Sequence, residues 1–267
     1  MTDRVTIGIA GGIANVRFNR PDKRNALDHE QFAAIADAGE RIKSAPGVRV
    51  VVLSGEGKSF CAGLDLAMFG SLGGGGDAPG NPGAMTESRI THIGQQVAWV
   101  WQEVEVPVIA AVHGHALGGG LQIALGADIR CVHPDTQMSV REVYWGLVPD
   151  MTGTLFLSRL VGTDVAKELV FTARIFDGNE AKSLGVATHV GEDPHRDAMA
   201  LAAEIADRSP DAVRGAKRLI NRLAVADAGE QFASEREEIG ALVGRPNQVE
   251  AVMAHVEQRP PVFTDAT

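Results

Sequence analysis

Two kinds of apolar pattern alternate along this chain, and that alternation most constrains how it can fold. Residues 28–42 carry apolar side chains at helical spacing, and residues 48–53 follow as a continuous apolar run that is typical of a buried strand. A second round combines a helical pattern over 88–101 with apolar runs at 108–112 and 129–132. Strands that alternate with helices favour a mostly parallel sheet. The sequence therefore predicts an α/β fold.

The two ends of the chain show different patterns. Alternating apolar residues on either side of Gly11 predict an opening hairpin, and Asp28 is placed to cap the first helix. From about His195 onward the pattern is helical only. We therefore expect an α/β core over 1–194 and a helical region over 195–267.

Charge and composition exclude several classes of protein. With 25 Lys and Arg against 34 Asp and Glu, the chain has a formal charge of -9, which is opposite to that of a protein that binds a phosphate backbone. Cys61 and Cys131 are too few for a disulfide framework, which fits a reducing compartment. No basic start precedes a long apolar core, and no run reaches the ~18 apolar residues that span a membrane. We therefore expect a soluble cytoplasmic protein with neither a nucleic-acid nor a membrane partner.

The segment 70–83 is dominated by glycine and proline. Such a segment has too little apolar surface to offset the entropy lost on ordering. We expect a mobile surface loop there rather than a linker between domains.

A first candidate segment, residues 59–66, follows a buried strand directly. Gly63 lets the backbone turn sharply and point a free amide into a cleft, so Leu64 N–H is a candidate donor. The Lys58-Ser59 pair resembles the end of a phosphate-binding loop, but the first glycine that such a loop requires would fall at Val52. A phosphate-binding loop is therefore excluded.

A second candidate segment, residues 113–122, places three glycines at the start of a short helix. Free N–H groups at a helix start stabilise developing negative charge, although Gly118 to Gly120 could equally serve helix–sheet packing. The spacing does not match a dinucleotide-binding site. His113 and His115 have no carboxylate or cysteine at ligand spacing, so we expect no metal site.

The third candidate segment contains two carboxylates, Glu142 and Asp150. Glu142 lies in an apolar stretch, where burial raises a carboxyl pKa and makes it a usable acid or base near neutral pH. Instead of acting in catalysis, Glu142 could face solvent or form an ion pair with Arg141. The alternative for Asp150 is a helix N-cap, and that alternative is compatible with a catalytic role.

Four ordered motifs now resemble the crotonase superfamily over almost the whole chain. They are Asn19-Arg-Pro-Asp-Lys-Arg-Asn-Ala-Leu27, Ser59-Phe-Cys-Ala-Gly-Leu-Asp-Leu66, the run from Val108 to Gly120, and Glu257-Gln-Arg-Pro-Pro-Val-Phe263. The resemblance implies a spiral of ββα units with a C-terminal helical oligomerisation region. It also implies an oxyanion hole formed by the amides of Leu64 and Gly119.

The same resemblance implies the ligand and the assembly. The substrate is an acyl-CoA thioester, whose coenzyme A part is not a separate cofactor. Its binding residues are expected to be Lys23, Arg24, Ala26, Ala62, Asp65 and Gln122, with Met68, Phe69, Tyr144 and Trp145 shaping the pocket. A homotrimer or a dimer of trimers is expected, because an apolar stripe would otherwise stay exposed. That stripe consists of Val249, Val252, Met253 and Val256.

The type of reaction depends on Gln122. Hydratases of the superfamily use two glutamates, and Gln122 stands at the position of the first while Glu142 matches the second. Since glutamine cannot exchange a proton at neutral pH, an isomerase that moves a double bond through an enolate is favoured. Glu142 through Asp150 also resembles dienoyl-CoA isomerases, which usually have an aspartate where Gln122 stands. The alternatives are a hydratase in which Gln122 positions the water, and a non-catalytic acyl-CoA-binding protein.

Overall fold

The structure is a computed structural model that describes residues 3–71, 81–225 and 228–262. The strands in that part of the chain are β1 Val5–Ala10, β2 Ile13–Phe18, β3 Val50–Gly55, β4 Val108–Val112, β5 His115–Leu117, β6 Ile129–Val132, β7 Gln137–Ser139 and β8 His189–Val190. The helices are α1 His29–Ser44, α2 Ile93–Glu103, α3 Gly119–Gly126, α4 Gly153–Val161, α5 Thr163–Thr172, α6 Gly178–Leu184, α7 Pro194–Ala206, α8 Pro210–Val225, α9 Ala228–Leu242 and α10 Pro246–Val256. Short 3₁₀ turns cover Pro21–Lys23, Leu66–Ser71 and Glu142–Trp145. Most of the segment 70–83, predicted to be a mobile loop, lies outside the described residues.

The main sheet has six strands in the order β1-β2-β3-β4-β6-β8. β1 and β2 form the predicted antiparallel hairpin, and every other neighbouring pair is parallel. The prediction of an α/β fold with a mostly parallel sheet is therefore confirmed. Asp28 caps α1 as predicted, because its carboxylate accepts a hydrogen bond from Gln31 N at 2.9 Å.

Both faces of the sheet are buried, which explains why β3 has no polar alternation. Val51 and Leu53 point into the main core, which also contains buried side chains of α1, α2 and α3. Val50 and Val52 point to the other face, where the alanines of α7 cover them. A strand that is buried on both faces has a continuous apolar sequence.

Helix α7 follows immediately after the predicted boundary at residue 194 and packs on the sheet. Its buried residues Ala198, Ala202 and Ala206 recur every fourth position and contact the sheet through small side chains. The division at residue 194 stays a prediction. Helices α4, α5 and α6 were missed by the sequence analysis, because their periodicity is short and interrupted by glycine at 162 and 178.

Helix α10 carries the predicted apolar stripe, of which Val249, Met253 and Val256 are exposed in the single chain and Val252 is half-buried. The exposed fraction is 46% for Val249, 43% for Met253 and 67% for Val256, whereas the helix buries Gln248, Ala251 and Ala254.

Among the described residues, no helix is both long and apolar enough to cross a membrane.

Candidate active site

The two candidate glycine segments pair with each other as short parallel strands. Phe60 N donates to His113 O at 2.9 Å, Cys61 N donates to His115 O at 3.0 Å, and Leu117 N donates to Cys61 O at 3.2 Å. This pairing leads both segments to the same place, where each leaves the ladder at a glycine. The two predicted oxyanion donors therefore come from adjacent segments.

The amides of Leu64 and Gly119 are free to bind a ligand. In the part of the chain that the structure describes, neither N–H has a backbone acceptor, whereas the flanking Asp65 N donates to Leu27 O at 2.9 Å. Gly63 has a φ of +87° and Gly118 a φ of +52°, so both turns use a left-handed backbone that favours glycine. Gly119 is the first residue of α3, whose first amides have no partner within the helix.

The glycine triplet allows two close approaches, while its role in stabilising negative charge stays a prediction. A Cβ at Gly120 would lie 2.2 Å from Cys61 O, so this glycine allows α3 to pack directly on the paired segment. A Cβ at Gly118 would lie 3.1 Å from Glu142 Oε1. Gly118 therefore lets the Glu142 carboxyl approach the start of α3, next to the Gly119 amide.

A cavity of about 650 Å³ opens at this point and contains most of the predicted site residues. Those that line it are Lys23, Arg24, Ala26, Ala62, Leu64, Asp65, Gly119, Glu142, Trp145 and Asp150. Apolar side chains from the core and from α9 complete the wall, among them Phe32, Leu117, Leu147, Ile239 and Val243. The site thus joins residues from both the predicted core and the predicted helical region.

Of the predicted residues whose side chains the structure describes, three do not line this cavity, and the side chain of Phe69 is not among those described. Gln122 is fully buried behind Glu142, and Met68 is buried in the 3₁₀ turn that follows Asp65. Tyr144 faces outward instead: Arg141 lies over its ring at 3.9 Å, and its hydroxyl is 2.9 Å from His255 Nδ1. The expectation that Gln122, Met68 and Tyr144 contact substrate is not supported by their positions.

Glu142 is buried in the 3₁₀ turn Glu142–Trp145, not on a strand. Its Oε1 accepts a hydrogen bond from Gln122 Nε2 at 2.6 Å, and its buried Oε2 has no hydrogen-bond partner among the described residues. Burial raises the pKa of Glu142 to about 8, and the nearby carboxylates Asp150 and Glu235 add to this rise. Arg141 does not pair with it but donates to Ala173 O.

The amide of Gln122 is held at both ends. Its Oε1 accepts from Met151 N and from Gly153 N, each at 2.9 Å. Since both partners are donors, the oxygen must face them, and the NH₂ group must face Glu142. Gln122 therefore orients the Glu142 carboxyl and has no lone pair left for a water molecule.

Asp150 lies at the cavity wall, in the loop before α4. The helix begins at Gly153 with Thr152 at its N-cap position, so the N-cap alternative for Asp150 is wrong. The first amides of α4 are instead bound by Gln122 Oε1 and by Glu235 Oε2. The Asp150 side chain keeps 24% of its surface accessible. Burial raises its pKa, and the charge of Glu235 raises it further.

Sequence reasoning missed Glu235 and His92. Glu235, in α9, is buried and accepts hydrogen bonds from Gln95 Nε2 at 3.1 Å and from Thr154 Oγ1. It stands in a highly charged stretch of sequence, which gave no sign of burial. His92 is buried at the start of α2, and its Nε2 lies 3.9 Å from Asp150 Oδ2.

The mouth of the cavity is positively charged. Lys23 and Arg24 line it, and Ala62 N donates to Arg24 O at 3.0 Å, which ties the two predicted coenzyme A segments together. Asp65 pairs with Arg20 at 2.7 Å, and although burial opposes the shift, hydrogen bonds from Ala67 N and Arg20 lower its pKa. Asp65 therefore fastens the segment that carries the cations.

The two histidines considered for a metal have other contacts. His113 Nε2 is 3.0 Å from Gly57 O, and His115 Nδ1 is 2.9 Å from Ser59 Oγ. Within residues 3–71, 81–225 and 228–262, no group of three or more His, Cys, Asp or Glu side chains could hold a metal ion.

Comparisons with known proteins agree with this geometry. A family model described as enoyl-CoA hydratase/isomerase matches residues 8–266. The chain is 33% identical to the methylglutaconyl-CoA hydratase of Mus musculus, over 94% of this chain and 79% of that protein. It is also 33% identical to a short-chain-enoyl-CoA hydratase of Clostridium acetobutylicum, over 93% of each chain.

A solved structure gives the same result for the fold. The enoyl-CoA hydratase/isomerase from Pseudoalteromonas atlantica is 29% identical and covers 98% of this chain and 100% of its own, with a TM-score of 0.85. The expectation of a crotonase-like fold with C-terminal helices is confirmed. The chain belongs to the enoyl-CoA hydratase/isomerase family, within the crotonase superfamily.

Proposed function

We propose that this protein is an isomerase that moves a double bond in an unsaturated acyl-CoA thioester. The observation that carries the proposal is the contrast between Gln122 and Asp150. Gln122 is buried, and both its amide oxygen and its NH₂ group already form hydrogen bonds within the protein. Asp150 and Glu142, in contrast, both line the cavity. The pair of proton-exchanging groups is therefore Glu142 with Asp150.

The proposed reaction exchanges one proton for another. The ionised member of the pair removes a proton from the carbon next to the thioester carbonyl, and the electron pair moves onto the carbonyl oxygen as an enolate. The protonated member then gives a proton to a carbon further along the conjugated chain, and the double bond shifts. One proton leaves and one returns, so the product has the composition of the substrate.

The enolate oxygen is stabilised by Leu64 N–H and Gly119 N–H. Preorganised donors of this kind contribute about 3 kcal/mol each in the transition state. Lys23 and Arg24 at the mouth suit the phosphate groups of coenzyme A, and the apolar wall suits an uncharged acyl chain. No residue in this scheme requires a separate cofactor.

Hydration is the second candidate, and it is favoured by the names of the two relatives given above. Hydration through Gln122 is disfavoured, because the Gln122 carbonyl already accepts two N–H groups. A hydratase of this chain would have to activate its water with Glu142 and Asp150. Both candidates thus use the same two carboxyls but differ in whether water is added.

The product mass separates the candidates. The purified protein is incubated in D₂O with crotonyl-CoA, a β,γ-enoyl-CoA and a 3,5-dienoyl-CoA, and the products are followed by ultraviolet absorbance and mass spectrometry. We expect products that keep the composition of the substrate and carry deuterium on the chain. We expect Asp150→Asn to lower the isomerisation rate at least ~100-fold, with exposed Asp207→Asn as the matched control.

Two results would overturn the proposal. Conversion of crotonyl-CoA to a product that gains one water, with the β,γ-enoyl and 3,5-dienoyl esters left unchanged, would assign a hydratase. Binding of every ester without conversion of any would assign a non-catalytic acyl-CoA-binding protein.

A further inference from the structure

We propose that His92 is a positioning residue for Asp150: its neutral imidazole presents Nε2–H to the carboxylate and holds it ionised beside the acyl chain. This inference rests on the proposed function, since it assumes that Asp150 exchanges a proton with substrate. His92 itself does not line the cavity.

The tautomer of His92 is set by the start of α2. His92 is the N-cap residue, and its Nδ1 accepts a hydrogen bond from Gln95 N at 3.0 Å. Gln95 Oε1 accepts in return from His92 N at 3.2 Å, which completes a capping box. A ring nitrogen that accepts from N–H carries no proton, so the proton of the neutral ring is on Nε2.

The Nε2–H group lacks an acceptor except in the direction of Asp150. It is buried and has no hydrogen-bond partner among the described residues, and Asp150 Oδ2 lies 3.9 Å away. A buried N–H group without an acceptor destabilises the folded state, whereas an N–H group that donates to a carboxylate stabilises it. Because 3.9 Å is longer than a hydrogen bond, we expect the contact to shorten when an acyl group fills the cavity, as catalytic hydrogen bonds commonly do.

Gly94 makes room for this imidazole. A Cβ on Gly94 would lie 2.9 Å from His92 Cε1, and Gly94 also lines the cavity. The ring therefore packs against the backbone of α2 at Gly94, next to the cavity. This packing restricts the orientation of the imidazole ring and therefore the direction in which Nε2–H points.

The surroundings of the two residues keep His92 neutral and oppose the ionisation of Asp150. Burial lowers the pKa of His92 to about 4, and the charge of Arg236 on α9 lowers it further. Asp150 faces two other carboxyls, Glu142 from the 3₁₀ turn and Glu235 from α9, and Glu235 raises the pKa of Asp150. A neutral donor at His92 opposes this rise without adding a charge that would itself titrate.

The test separates capping from positioning. His92→Asn keeps a good N-cap acceptor for Gln95 N but cannot reach Asp150 with an Nε2–H, whereas His92→Ala loses both functions. The measurements are the thermal midpoint, the pH profile of kcat/KM for a dienoyl-CoA, and infrared titration of the Asp150 carboxyl, assigned by its absence in Asp150→Asn.

We expect His92→Asn to keep the thermal midpoint within a few degrees of wild type and to raise the pH at which Asp150 ionises by about one unit. The acidic limb of the pH profile should move by the same amount, and kcat should fall about tenfold at neutral pH. His92→Ala should show these effects together with a lower thermal midpoint.

An unchanged infrared titration of Asp150 in His92→Asn would overturn the inference and leave His92 as a helix cap only. This readout does not depend on turnover. If Asp150→Asn retained its rate while the titration still moved in His92→Asn, the proposed function would fail and the contact between the two residues would stand.

Discussion

The Glu142 carboxyl is held by a donor on one oxygen, and no described residue donates to the other. Gln122 Nε2 fixes Oε1, which leaves Oε2 buried and free to exchange a proton. Such an arrangement suits an acid–base group, because the side chain is oriented while one oxygen has no competing partner. Glu142 therefore combines a fixed position with a pKa near neutral pH.

Replacing Glu142 by Gln should abolish turnover and stabilise the fold at high pH. The folded pKa of about 8 exceeds the ordinary value of 4.5, so the folded chain binds this proton more tightly than the unfolded chain. The stability from this group is fully present below pH 4.5 and is lost as the pH rises through 8. Glu142→Gln has no such proton to lose, so at alkaline pH its free energy of unfolding should exceed that of the wild type.

Thermal unfolding, followed by circular dichroism across this pH range, measures the predicted change in stability. The affinity of the variant for acyl-CoA, measured by calorimetry, should change little. Glu238→Gln, at an exposed position of α9, is the matched control and should leave the pH dependence intact. A Glu142→Gln variant that keeps most of its rate would show that Glu142 is structural.

The candidate carboxyls could be predicted from sequence, whereas the residues around them could not. Glu142 stands out because it interrupts an apolar run, and this position agrees with its burial. Gln122 was correctly seen to be unable to exchange protons, but its contact with Glu142 depends on the close approach of α3 and α4. His92 and Glu235 have local sequences typical of a helix start and of a charged surface, so only tertiary packing reveals their position.

At the scale of elements, the site depends on how closely α3 packs on the segment that contains Cys61. The missing side chain at Gly120 is what permits this approach, because an added Cβ would contact backbone rather than a flexible side chain. The strands β3, β4 and β6 could be predicted because their apolar runs are continuous, whereas β5, β7 and β8 were not predicted and have only two or three residues each. The start of α2 was placed at about Ser88 but lies at Ile93, since the residues before it form turns that end in the His92 cap.

Gly120→Ala should lower both stability and activity. The new Cβ would lie 2.2 Å from Cys61 O, so either the paired segment or α3 must move. We expect a loss of about 2 kcal/mol in the free energy of unfolding, which is typical of overpacking, and a fall in kcat larger than the change in KM. Denaturant unfolding and steady-state kinetics measure the two effects.

Gly240→Ala is the matched control, because this α9 glycine has nothing within 4 Å of an added Cβ. It should be neutral or slightly stabilising, since alanine is the better helix former. If Gly120→Ala behaved like Gly240→Ala, the close packing of α3 would not be what positions the Gly119 amide.

For the whole molecule, we propose assembly into a homotrimer or a dimer of trimers. Helix α10 exposes the apolar side chains of Val249, Met253 and Val256, and further exposed apolar side chains occur at Leu219 and Ile220 of α8. Surfaces of this kind are typically covered by another subunit. The helices that carry these side chains, α8 and α10, lie on either side of α9 in the sequence.

The double variant Met253→Asp with Val256→Asp should shift the protein toward monomers at micromolar concentration. Light scattering coupled to size-exclusion chromatography measures the change. Ile9→Asp, at an exposed apolar position of β1, is the control and should leave the assembly intact. A wild-type protein that is already a stable monomer would contradict the proposal.

The contribution of α9 to the cavity has a consequence for the newly made protein. Glu235 binds the first turn of α4, and Ile239 and Val243 close the cavity wall over Glu142. A ribosome adds about 10 residues per second, so roughly 10 seconds of synthesis separate Glu142 from Glu235. During that interval strands β1 to β7 have been synthesised, but the α9 part of the cavity wall has not. Catalysis therefore begins only after the last helices have emerged, and a chaperone that shields the incomplete cavity would act within that interval.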